Sequence, residues 1–335
     1  MNGLYPWQHT TWQTLQELRN RLPNGLLLKG AQGIGKLDLA MNFARSLLCE
    51  HPRSEGHACL ACSSCHWFEQ GSHPDFRLIQ PGILNGADES EARSGGKKPS
   101  REISVEQIRD LAQFANLSSH CGRYRIVLIH PAETMNTNAV NSLLKTLEEP
   151  TANLLFLLVA HKPQLLLPTI LSRCLSFGIP TPAPADGIAW LSDQGVKSPG
   201  RALAQTGYAP LQALQWAESG EGADERRILL ENMRQPAHLD PLSLADTLQR
   251  SIPVHVIHCL QQWCHDLASA KLAGQVRYFP DESAAIHQLV SSISANNLLK
   301  YQKDLLAARR AANHPLNQKL FLESLLLSYR QLFTD

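Results

Sequence analysis

Three short stretches of this chain are apolar throughout rather than in alternation, and they constrain the fold most. They lie within 24–30 ("NGLLLKG"), 124–130 ("YRIVLIH") and 153–160 ("NLLFLLVA"). A strand with one wet face alternates apolar and polar residues. A strand covered on both faces reads as continuous Leu, Ile and Val, the pattern of a parallel sheet between two layers of helices. "FRLIQP" (76–81) reads as a further strand. Segments with helical spacing lie between the runs. Leu39, Phe43, Leu47 and Leu48 share a face of 36–49; Val105, Ile108, Leu111 and Phe114 share one of 103–116; Leu143, Leu144 and Leu147 share one of 139–150, which Pro150 should stop. Strands alternating with helices across 24–178 predict a parallel α/β domain. The polar, Gly- and Ser-rich stretch 82–102 has no periodicity and predicts a loop.

With 335 residues the chain exceeds what one core usually serves. "IPTPAPADG" (179–187), with three prolines, is the expected linker. Helical patterns dominate after it, broken at 218–225 and 234–241, which divides this part into a small helical unit and a larger one. The expected division is 1–180, 181–219 and 220–335.

Lys and Arg number 31 against 30 Asp and Glu, which argues against a chain that binds nucleic acid through its overall charge. No apolar run approaches the roughly 20 residues that span a bilayer. The start, "MNGLYPWQHTTWQ", lacks a basic region followed by an apolar one, so no secretory signal is expected. The cytoplasm is the expected compartment, and thiols stay reduced there.

In that setting the crowding of Cys49, Cys59, Cys62 and Cys65 points to metal rather than to disulfides. Thiolates spaced C-x2-C-x2-C can converge from a turn onto one ion, and Cys49 at the end of the preceding helix can complete a closed, structural Zn²⁺ site. His57, His66 and His73 compete with Cys49 as fourth ligand. An iron–sulfur cluster suits three tightly spaced cysteines with a distant fourth less well. Cys121, Cys174, Cys259 and Cys264 are scattered and read as inert.

"GAQGIGKLDLA" (30–40) follows a strand and opens a helix, the setting of a phosphate-binding loop. Gly30, Gly35 and Lys36 satisfy G-x-x-x-x-G-K, with Gly33 inside the turn. Leu37 then stands where a Ser or Thr hydroxyl would hold Mg²⁺. The stretch reads as a worn phosphate cradle or as a tight turn kept for packing.

"NSLLKTLEEP" (141–150), followed by "LLFLLVAHKPQLLLPTILSRC" (154–174), resembles the clamp-loader branch of the AAA+ ATPases. With the cysteine cluster and "NHPLNQKLFLESLLL" (313–327), the resemblance is to the delta-prime type of bacterial DNA polymerase III subunit. It implies a nucleotide-fold domain, a small helical lid and a helical collar that assembles a ring with tau/gamma and delta subunits. The ring opens the sliding clamp and places it on primer-template DNA. It also favours Cys49 as the fourth metal ligand.

In that family an acidic pair ends the strand after the phosphate-loop helix; here His130 and Pro131 occupy those positions, with Glu133 two residues further on. Proline cannot act as a base, and a neutral imidazole poorly replaces a carboxylate on a hard cation. His161 matches the polar sensor, and His130 is expected to bond to backbone. For the lid arginine, Arg201 in "SPGRAL" is one match and Gln212 in "GYAPLQAL" the better-spaced one. ATP hydrolysis at this site is not expected. By the same resemblance, Arg173 of the Ser172-Arg173-Cys174 triplet projects into the ATP site of the adjoining subunit as an arginine finger. Lys145 and Glu149 form an exposed i,i+4 pair, and Lys145 is a weaker candidate at the same interface. An active tau/gamma-type ATPase would need Ser or Thr at 37 and Asp-Glu at 130–131. A zinc-dependent nucleic-acid-binding scaffold would need more bases than Arg53, and more aromatics than Trp67 and Phe68, in 50–75.

Overall fold

The structure, a computed structural model, describes residues 3–84, 99–116, 119–121, 123–149, 151–220, 222–312 and 317–333. Pro150 and most of the expected loop 82–102 lie outside these residues. The chain divides into two compact units, Met1–Asp186 and Gly187–Asp335. The division falls inside the proline-rich stretch expected to be a linker.

In the first unit β1 (Gly25–Lys29), β2 (Phe76–Ile79), β3 (Arg125–Ile129), β4 (Leu154–Ala160) and β5 (Leu175–Gly178) form one parallel sheet ordered β2-β3-β4-β1-β5. The continuous apolar runs occupy the three inner positions: every residue of β3 and β4 is buried, as is β1 up to Leu28. The edge strands β2 and β5 are half-exposed. The alternation of a pleated strand sorts the inner side chains into two cores. Leu26, Leu28, Ile126, Leu128, Leu155 and Leu157 face Leu39, Phe43 and Leu47 of α2 (Lys36–Leu48) and Trp12 and Leu15 of α1 (His9–Glu17). Leu27, Val127, Ile129, Phe156 and Leu158 face the opposite core. That core holds Ile108, Leu111 and Phe114 of a helix at Val105–Asn116 and Leu143 and Leu147 of a helix at Thr137–Glu148. Val105, expected on the buried stripe, is only half-buried.

β5 had no apolar run to announce it. It is four residues long and pairs Leu26↔Leu175 through Lys29↔Gly178. Gly25 makes this edge pairing close: a Cβ there would sit 2.8 Å from Cys174 Sγ and 3.3 Å from the Arg173 carbonyl oxygen.

The second unit is entirely helical among its described residues. A small apolar cluster joins Leu191, Ala202, Leu203 and Ala213; a larger one runs from Leu229 to Leu332 and includes Trp263 and Tyr329, bonded Nε1–H to Oη at 2.9 Å. No described helix is long and apolar enough to cross a membrane.

Candidate functional site

In an open parallel sheet, the carboxyl ends of the strands are where ligands sit. Three adjacent strands end here in one constellation. The turn 30–35 follows β1, His130 follows β3 and His161 follows β4. The turn carries two glycines with positive φ, Gly33 at 78° and Gly35 at 81°, a left-handed region that L side chains rarely adopt. Gly35 also has no room for a side chain, since a Cβ would lie 2.5 Å from the Tyr5 ring and 2.6 Å from Gln8 Nε2.

Those neighbours belong to an N-terminal segment that the sequence did not mark as part of the site. Gln8, fully buried, donates from Nε2 to the carbonyls of Gly35 (2.7 Å) and Ile34 (3.2 Å), and Trp7 Nε1 donates to Ile34 O at 3.0 Å. The Tyr5 and Trp7 rings stack with centroids 5.1 Å apart. The turn is therefore bound from outside by protein donors on its carbonyls.

Lys36 is 2 % exposed, and its ammonium donates to the Ala31 carbonyl of its own loop. Burial pulls its pKa down to about 8, against the charge of Glu133, which raises it. Leu37, in the hydroxyl position, packs half-buried against the α2 side of the core.

His130 departs from the expected backbone bonding. Its ring meets two side chains: Gln80 Nε2 donates to Nδ1 at 3.0 Å, and Nε2 lies 3.1 Å from Nε2 of His161. Burial first, and then the charge of Lys36, hold the pKa of His130 down at about 4 and that of His161 at about 3. Glu133 is turned away from any metal position: its carboxylate accepts from the backbone N–H of His161 at 3.0 and 3.2 Å and of Lys162 at 3.0 Å. Lys36, His130 and Glu133 are thus engaged within the protein, His161 is bonded through Nε2 alone, and no hydroxyl stands at position 37.

Arg173 stands at the turn before β5 with its side chain 35 % exposed and its Nη2 2.5 Å from Glu148 Oε1. Nη1 also donates to Thr169 O at 3.2 Å. Glu148, rather than Glu149, makes the ion pair on this surface; among the described residues Lys145 and Glu149 do not pair. In the helical unit, Arg201 approaches Asp281 at 4.0 Å, while Gln212 lies on a helix at Pro210–Ser219.

The four thiols of Cys49, Cys59, Cys62 and Cys65 converge, all within 4.8 Å of one another. Cys49 Sγ lies 3.9 Å from Cys62 Sγ, and Cys59 Sγ lies 3.9 Å from Cys65 Sγ. Four sulfurs about 2.3 Å from a tetrahedral zinc would be separated by about 3.8 Å. Backbone N–H groups already point at the sulfurs: Cys59 N–H at Cys49 Sγ (3.2 Å), Ala61 and Cys62 N–H at Cys59 Sγ (3.4 and 3.3 Å). These donors stabilise thiolate, and the Ala61 and Cys62 amides help pull the Cys59 thiol down to about 6. The donor set therefore fits a soft divalent metal. The competing histidines are occupied elsewhere or lie outside the cluster. His57 stacks on Trp12 at 4.8 Å, His73 pairs with Ser64 Oγ at 2.8 Å, and His66 lies exposed on a helix at Ser63–Glu69. Two arginines outside the expected site hold the cluster to the sheet domain. Arg123 donates to the carbonyls of Cys49 (2.7 Å) and Glu50 (3.0 Å), and Arg45 donates to that of Cys65 (3.5 Å). Arg53, although exposed, donates to Cys59 O at 2.7 Å; Trp67 is exposed and Phe68 is buried.

The family described as "DNA polymerase III, delta subunit" matches residues 7–183, and the one described as "DNA polymerase III, delta subunit, C terminal" matches 221–331. DNA polymerase III subunit delta' of Pseudomonas aeruginosa is 33% identical over 99% of this chain and 99% of its own length. The delta' subunit of Yersinia pestis is 29% identical over 97% of this chain and 95% of its own. The tau/gamma subunit of Haemophilus influenzae is 37% identical over 47% of this chain, but that match spans 20% of the relative's length.

Proposed function

The chain belongs to the delta-prime family of DNA polymerase III clamp-loader subunits, and from that premise we propose that it is the member of the ring that hydrolyses no ATP itself but completes a neighbour's ATP site. The observation that carries this reading is the state of the strand ends. Phosphoryl transfer needs Mg²⁺ held by a hydroxyl and a carboxylate, and a residue to position the attacking water. Leu37 offers no hydroxyl, His130 and His161 are bonded to each other, and Glu133 is committed to two backbone amides. Lys36 bonds to its own loop. Gly30, Gly33, Gly35 and Lys36 act as a vestige that packs strand against helix.

Arg173 takes the role of a finger in trans. Its planar fork can bridge γ-phosphate oxygens, and its tie to Glu148 is an exposed pair of the kind worth roughly 0–1 kcal/mol, cheaply exchanged for phosphate. Zinc, bound by Cys49, Cys59, Cys62 and Cys65, would close the excursion between α2 and β2; with four protein ligands it supplies structure and leaves no position for water. The residues 181–219 act as the lid and 220–335 as the collar. The partners are tau/gamma and delta subunits, with the sliding clamp and primer-template DNA reached through the complex, in the cytoplasm.

Reconstitution tests the reading. The chain mixed with tau/gamma and delta should give one complex on gel filtration, and that complex should load clamps on primed DNA. Equal loading by a mixture lacking this chain would show the role to be wrong. The chain alone should release no phosphate from ATP above buffer.

A further inference from the structure

The helical unit contains a cleft of about 520 Å³, within the usual range for small-molecule sites. All its lining residues lie between Gln205 and Tyr278, and none belongs to the sheet domain that carries the phosphate loop.

Two buried polar atoms in this lining have no partner. Arg226 Nη2 donates to Gln262 Oε1 at 2.6 Å, and its guanidinium lies over the Phe279 ring at 4.7 Å, yet its Nε is buried without a hydrogen bond. Arg226 makes no ion pair among the described residues. Asp266, whose charge reaches it, is saturated by the backbone N–H groups of Arg277, Tyr278 and Phe279 at 3.0, 2.8 and 2.8 Å. Burial lowers the Arg226 pKa, as expected for a cation short of compensation. Gln205 is 4 % exposed, and its Oε1 accepts nothing. A buried N–H on a cation and a buried acceptor therefore belong to two residues of one cleft lining, and unmade bonds of this kind carry a desolvation cost that is removed when the side chains turn to a matching ligand. Trp216 and Tyr278, both half-buried, give the wall planar apolar surface. Glu225 is the one carboxylate of the lining and sits half-buried beside Arg226 on the same helix.

We propose that this cleft binds a small organic oxyanion that carries both a planar ring and a hydrogen-bond donor, the chemistry of a nucleoside monophosphate. The oxyanion meets Arg226, the donor meets Gln205 Oε1 once that side chain turns towards the cleft, and the ring lies on the Trp216 side. The site is independent of the vestigial loop and of the role proposed for Arg173.

Calorimetric titration of the full chain with a nucleoside monophosphate, the parent nucleoside and inorganic phosphate tests it. Saturable binding of one monophosphate per chain is expected, with nucleoside and phosphate each at least about tenfold weaker. Arg226→Met should weaken binding about 10- to 100-fold, the range for a hydrogen bond to a charged group. Because Arg226 also stacks on Phe279, Gln212→Glu supplies a second variant: it keeps the shape of a half-buried lining residue and adds a repelling charge, so it should also weaken binding at unchanged melting temperature. Lys36→Ala should leave binding unchanged. The proposal is overturned by no saturable binding, by phosphate binding as tightly as the monophosphate, by binding that survives both cleft variants, or by binding that Lys36→Ala abolishes.

Discussion

His130 and His161 face each other across the ends of two neighbouring strands with their Nε2 atoms 3.1 Å apart. The amide Nε2 of Gln80 can only donate, so His130 Nδ1 accepts it, and His130 carries its proton on Nε2 and donates to His161. His161 is left with its proton on Nδ1, an atom buried without a partner. The chain Gln80–His130–His161 needs both rings neutral, and Lys36 beside them opposes a further positive charge. Where an active nucleotide site would place acids around Mg²⁺, this protein has a neutral polar relay beside a buried ammonium.

That relay makes stability depend on pH. The folded pKa values, about 4 for His130 and about 3 for His161, lie below the unfolded value of about 6.5, so the unfolded chain binds more protons in between. The contribution of the pair is complete well above pH 6.5 and is lost as pH falls towards about 4 for His130 and about 3 for His161. Melting temperatures of wild type and of a His130→Gln/His161→Gln variant, measured from pH 7.5 to 4.5, should converge on the acid side. A constant offset would show that the pair does not titrate as a neutral relay.

The purified protein should hold about one zinc per chain without added metal, by elemental analysis. Less than about 0.2 equivalents, or iron instead, contradicts the assignment. Cys62→Ser should lose the ion and increase hydrogen exchange over 49–65, because structural zinc sites contribute folding energy directly. The sheet, with its own two cores, should keep its protection.

Lys36→Ala removes an ammonium that bonds to a carbonyl of its own loop. On the proposed reading of the loop as a vestige, clamp loading by the reconstituted complex should stay near wild type. A large loss of loading with the fold intact would mean that the loop still binds phosphate.

Arg173→Ala should leave the complex assembled and slow ATP turnover at the adjacent site alone. An isolated finger is worth on the order of 10³–10⁵ in rate. In a ring with several ATP sites the bulk ATPase should therefore fall in part and loading, which needs coordinated sites, further. Arg173→Lys should rescue little, because a point charge lacks the planar fork. Glu148→Gln frees the arginine and should not reduce turnover. Wild-type turnover and loading in Arg173→Ala would leave this subunit as a scaffold.

Much of this protein was legible in one dimension. Continuous apolar runs marked β1, β3 and β4, because only strands covered on both faces can be Leu, Ile and Val throughout. The cysteine spacing located the thiol cluster, because ligands two residues apart in a turn need little else to converge. Leu37 after Gly35 and Lys36 could be read directly, because a motif keeps its register in sequence, whereas His130 and Pro131 at the acidic positions came from the family resemblance. β5 escaped because an edge strand of four half-exposed residues has no periodic signature.

The tertiary structure decided the partners. Nothing in the sequence ties Gln8 to Gly35, Gln80 to His130, Arg123 to Cys49 or Glu133 to the amide of His161; these contacts span 27 to 74 residues. A side-chain hydrogen bond depends on a few ångströms of placement, and strand order sets that placement by bringing the ends of β1, β4 and β3 side by side. Composition and spacing can say which groups a chain owns. Which of them a buried histidine or lysine actually meets is settled by packing, because burial makes an unpaired polar group costly and the fold supplies whatever donor or acceptor lies within reach.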